Sequence, residues 1–91
     1  MQVPTELKLK YINRRIQDIE LLRLSLDKDD YSIAQRIGHQ VKGNAVTFDF
    51  PQIAFIGFEM EKAAERKEKS KVMMLINKME TTLLATQNNI H

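Results

Sequence analysis

Apolar residues in this chain return every three or four positions almost throughout, and only short polar interruptions break the rhythm. That is the period of a helix; strand side chains would alternate. Leu9, Ile12, Ile16, Ile19, Leu22 and Leu26 form one stripe and predict a first helix from about Leu7 to Leu26. Pro4-Thr5 reads as its start signal, with Thr5 as N-cap and Glu6 in the first turn. "DKDD" (27–30) ends the stripe and offers Asp29 or Asp30 as the next cap. Ile33, Ile37, Val41, Ala45 and Phe48 then mark a second helix, from about Tyr31 to Thr47. In "TFDFP" (47–51) the residue before proline disfavours helical geometry, so a short connection is expected. Ile53, Ile56, Met60 and Ala63/Ala64 place a third helix from near Pro51. The charged "EKAAERKEKSK" (61–71) reads as a solvated face leading into a last helix that carries Val72, Leu75, Ile76, Met79 and Leu83. Helices of this kind bury their stripes against one another most economically as an all-α antiparallel four-helix bundle. A short extra N-terminal helix would fit the pattern, and residues 1–91 are expected to form one domain.

With 91 residues and no cysteine, the chain has neither a disulfide framework nor a thiolate metal site. No apolar run approaches the ~18–20 residues that span a bilayer. The start, "MQVPTELKLKY", lacks the apolar stretch of a signal peptide, which favours a cytoplasmic setting without membrane attachment. A net charge of +2 permits an acidic partner but argues for no nucleic acid, because Glu59, Glu61, Glu65 and Glu68 interrupt the basic residues. Zinc is not expected: His39 and the terminal His91 are the only histidines. A chain with Gly38, Gly43 and Gly57 as its only glycines has no phosphate loop, which disfavours autokinase activity.

"RIGHQVKGNA" (36–45) sets two of those glycines around His39, although each costs a helix interior roughly 1 kcal/mol against alanine. Each residue turns the helix by about 100°, so His39 lies about 200° from Ile37 and faces solvent. Lys42, three positions on, is its neighbour on the surface. Helix side chains lean toward the N-terminus, so a side chain at 43 would cover the imidazole, and Gly43 leaves it open. Gly38 either allows close helix packing or is neutral. An accessible imidazole beside a cation suits a phosphoryl acceptor: the ring is nucleophilic near neutral pH, and an ammonium stabilises the transferred group's charge. Gln35, one turn earlier, is a candidate to orient the ring through Nδ1 or a water. Asn44 falls within the buried stripe and is expected to hydrogen-bond another helix or a backbone carbonyl, since an unpaired buried amide costs about 1–3 kcal/mol.

His39, Lys42 and Gly43 match in register the H-x-x-K-G motif of the histidine phosphotransfer (HPt) domains of bacterial multistep phosphorelays, which the sequence resembles. "GHQVKGNAVTFDFPQIAFIGFEMEKAA" (38–64) is similar to that family's central helical hairpin, with Met60-Glu61 where Leu-Glu is usual. The resemblance covers about 11–64 well and the remainder as helix pattern. One departure is Asp49 in "FDF", where many members carry glycine; an unusual backbone angle there would be tolerated less well by aspartate. The resemblance implies that a receiver domain passes its aspartyl phosphate to Nε2 of His39, and that a second receiver takes it on. It implies response-regulator receivers, a sensor histidine kinase, or both as partners of a monomeric domain. The magnesium comes with the receiver, and the domain has no cofactor or kinase activity of its own.

Arg36, Val46, Phe55 and Phe58 are candidates for the docking surface. Phe55 and Phe58 fall away from the stripe of Ile53, Ile56 and Met60, so they either pack under a neighbouring helix or supply the apolar part of that patch. The dimerisation domain of a sensor kinase fits less well: an acidic residue typically follows its histidine and a proline comes shortly after, where this chain has Gln40 and Asn44. The alternative from another class is a four-helix interaction module without chemistry.

Overall fold

Among residues 3–90, which the computed structural model describes, four helices follow one another: α1 (Thr5–Asp27), α2 (Ser32–Thr47), α3 (Pro51–Glu65) and α4 (Lys69–Asn89). The connections are short and successive helices run antiparallel, with α4 returning against α1. No separate helix precedes α1 among the described residues, and His91 lies outside them. Ile12, Leu22, Leu26, Val41, Ile53, Met60, Val72, Ile76, Met79 and Leu83 are fully buried, so all four stripes meet in one core. Leu9, Ile16, Ile33 and Phe48 are only partly buried at its margin.

The helix ends correct two expectations. Thr5 is the first residue of α1 and not its cap: Pro4 precedes the helix, no side chain caps it, and the Pro4 carbonyl accepts from Leu7 and Lys8 N–H. Neither candidate is the cap of α2: Tyr31 precedes the helix without a side-chain cap, and Asp30, one position earlier, accepts from Ser32 N at 3.0 Å and Ser32 Oγ at 2.6 Å. Asp29 instead ends α1 in the left-handed region (φ 55°), as Asp49 (φ 67°) ends α2 and Lys67 (φ 54°) ends α3. At all three ends the next two N–H groups turn back to carbonyls of the last turn, as with Asp49 N to Val46 O and Phe50 N to Ala45 O. The unusual angle at residue 49 is therefore present and carried by aspartate, and the turn forms without glycine.

Three seams differ in how they are made. Between α1 and α2, Tyr11 stacks on Phe48 at 4.5 Å and its hydroxyl donates to Asn44 Oδ1, the cross-helix partner expected for that amide. Burial pushes the Tyr11 phenol up to about 12. In the same seam Arg15 Nε lies 3.1 Å from Asp18 Oδ2, in ion contact without a hydrogen bond's alignment, and burial raises the Asp18 carboxyl. Between α1 and α4, Arg23 forks onto both Glu80 oxygens (2.9 and 3.1 Å) and onto Asn77, and Gln87 reaches Asn13. Where α2 meets α3 the backbones themselves touch: Gly38 and Gly57 face each other, and a Cβ built on Gly38 would lie 2.7 Å from Gly57 O.

Candidate functional site

The close approach of α2 and α3 brings together residues 39, 42 and 61. His39 projects outward from α2 with 67% of its side chain exposed. Glu61, on α3, is only 14% exposed and reaches under it. One carboxylate oxygen, Oε2, lies 2.7 Å from His39 Nδ1; the other, Oε1, accepts from Lys42 Nζ at 2.8 Å. The Lys42 hydrogen bond, reinforced by His39, holds the Glu61 carboxyl below the usual carboxylate range. An ionised carboxylate can only accept hydrogen bonds, so Nδ1 carries the proton. In the neutral ring, Nε2 then carries the free electron pair, on an open side chain.

Gly43 has nothing within 4 Å of the position a Cβ would take, so the approach over the ring is clear. A shallow open cleft on the other side of His39 is lined by Ser32, Gln35, Arg36, Gln40 and Glu61. Two other grooves run between α3 and α4, one past Phe55 and Lys78 and its neighbour past Phe50 and Thr86; they share no residue with this cleft. Chemically, the arrangement presents a nucleophilic nitrogen of fixed tautomer, a cation beside it, and an anion behind the ring to balance charge that develops on it.

The family model of the Hpt domain matches residues 10–89. The chain belongs to the Hpt domain family. Neither curated proteins nor solved structures gave a significant match. Hpt domains are helical bundles that serve histidine phosphotransfer in phosphorelays, and in this one no described helix is long and apolar enough to cross a membrane. Within this Hpt domain His39, Lys42 and Gly43 share the outer face of α2, as their spacing required. Gln35 lines the cleft, but the ring nitrogen proposed for it is taken by Glu61. Arg36 is exposed, as are Val46 (63%) and Phe55 (58%), and Phe58 lies open with Lys62 Nζ 4.7 Å above its ring. The two phenylalanines therefore do not pack under a neighbouring helix.

Glu61 entered the sequence reading only within the Met60-Glu61 pair of the resemblance and among the charges of 61–71, without a role at the site. A signal existed. Gly38 and Lys42 are one turn apart on α2, and Gly57 and Glu61 are one turn apart on α3. Antiparallel helices that touch at these glycines set Glu61 beside Gly38 and Lys42 beside Gly57, and the long Lys42 side chain reaches back along the seam to the Glu61 carboxylate.

Proposed function

We propose that this Hpt domain is a phosphorelay intermediate in which His39 accepts a phosphoryl group from a receiver's aspartyl phosphate and yields it to another receiver. The observation that carries this reading is the 2.7 Å contact from Glu61 to His39 Nδ1, which directs the free electron pair to Nε2. That pair attacks phosphorus as the bond to the aspartyl oxygen breaks, and the aspartate leaves as carboxylate. The imidazole gains positive charge, which Glu61 balances through the Nδ1 proton. Lys42, half-exposed, stabilises the equatorial oxygens of the transferring group. Gly43 keeps the incoming receiver's path open. Magnesium is the receiver's contribution, and Arg36, Val46, Phe55 and Phe58 form the rim on which the partner docks.

Labelling from a phosphorylated receiver tests this. The wild-type chain should take an acid-labile, base-stable phosphate, and folded His39→Gln should take none. Label persisting on His39→Gln overturns the assignment. Receiver binding that never yields label returns the interaction module without chemistry.

A further inference from the structure

We infer that Gly38 and Gly57 are positioning residues for phosphotransfer, because their reciprocal contact sets the span between His39 Nδ1 and the Glu61 carboxylate. The inference rests on His39 being the phosphoacceptor. A Cβ on Gly38 would meet Gly57 O at 2.7 Å, Glu61 N at 2.8 Å and Glu61 Cα at 3.2 Å. A Cβ on Gly57 would meet Gly38 O at 2.9 Å, Val41 Cγ1 at 2.9 Å and Lys42 N at 3.0 Å. Apart from that one methyl these are backbone atoms, which cannot rotate aside. They also belong to the site: a methyl at 38 strikes the backbone of Glu61, and a methyl at 57 strikes the backbone of Lys42. Residue 38 is itself bonded to His39, so any relief displaces one member of the His39–Glu61–Lys42 set against another.

The size of the displacement decides its effect. Ordinary contact begins at 3.4 Å, so the helices must part by about 0.7 Å to admit a methyl at 38. Added to a 2.7 Å contact, that reaches the outer limit of a hydrogen bond. The ring would then lose the acceptor that fixes its tautomer, and a share of molecules would protonate Nε2, the atom that must attack. Both glycines are buried within helices and neither has a positive φ, so close approach is what they supply there.

Two readouts test this, nitrogen NMR of the His39 ring and single-turnover transfer from a phosphorylated receiver. In the wild type the neutral ring should carry its proton on Nδ1. In Gly38→Ala the Nε2–H form should rise to a comparable share, and transfer should slow about tenfold. If the glycine acts through Glu61, the same substitution in a Glu61→Gln background should slow transfer less than about twofold further. Should Gly38→Ala unfold, Gly57→Ala makes the milder intrusion. Glu61→Asp, which withdraws the carboxylate by one methylene and leaves the glycines untouched, should reproduce the tautomer change. A folded Gly38→Ala or Gly57→Ala with wild-type tautomer and rate overturns the inference. So does an equal loss in the Glu61→Gln background, or an unchanged Glu61→Asp. The tautomer measurement needs no phosphoryl donor. A wild-type chain that never labels, yet shows these shifts, defeats the phosphoacceptor reading and leaves the geometric link standing.

Discussion

The α2–α3 seam and the α1–α4 seam join antiparallel helices of the same bundle by opposite means. At the first, glycines let the two backbones touch, and the side chains of His39, Lys42 and Glu61 emerge immediately beside the contact. At the second, long polar side chains span the gap, with the Arg23 guanidinium gripping Glu80 and Asn77 at the surface. A backbone contact transmits its geometry stiffly, because nothing in it can change rotamer. A bridge of flexible side chains tolerates drift. The stiff seam lies beside the His39–Glu61 contact, and the tolerant seam joins two helices away from it.

Filling the glycines separates the two kinds of position most sharply. Leucine at Gly43 meets open space and improves helix propensity, so stability should hold or rise by up to about 1 kcal/mol. Its side chain leans over His39, so transfer should fall sharply. Leucine at Gly57, buried against α2, should cost about 3 kcal/mol or unfold the chain. Melting curves and labelling rates on the two variants check this; a destabilised Gly43→Leu would place residue 43 inside the packing and dissolve the contrast.

A smaller effect is expected from Lys42→Ala. A charge-stabilising donor is worth roughly 2.7–4 kcal/mol in a closed site, and Lys42 is half-exposed, so the expected slowing is nearer tenfold than a thousandfold. An unchanged single-turnover rate would make Lys42 merely Glu61's partner. The smallest effect belongs to the tolerant seam: Arg23→Ala should cost under about 1 kcal/mol and leave transfer unchanged. The Arg23 hydrogen bond lowers the Glu80 carboxyl, so its stabilisation is present above the ordinary carboxylate range and fades as pH falls through the depressed value. Wild type and Arg23→Ala should therefore converge in acid denaturation, and a gap that widens on acidification would contradict this.

Much of this arrangement was legible in the sequence. Ile12, Val41, Met60 and Met79 fix the four buried faces, and rotation from Ile37 places His39 outside. Periodicity is a property of one helix at a time, however, and Glu61 matters because of a second helix. Its carboxylate could not be told from those of Glu59 or Glu65 until the glycine contact set the register between α2 and α3. Phe55 and Phe58 were ambiguous for the same reason, since a side chain off the stripe is buried or exposed according to how its neighbours close. The unusual angle expected at Asp49 is present, and what single-residue preference does not show is the pair of helix-end hydrogen bonds that accompanies it.

The glycine seam also bears on how such a chain can diversify. Where two backbones already touch, no smaller residue remains to substitute and no larger one fits, so residues 38 and 57 have almost no neutral neighbours in sequence space. Arg36, Val46 and Phe55 stand in solvent, and Phe58 is partly open, so these positions are far less constrained by packing. Descendants of this chain that came to serve new partners would therefore carry their differences on the rim, around an interior unable to vary with it.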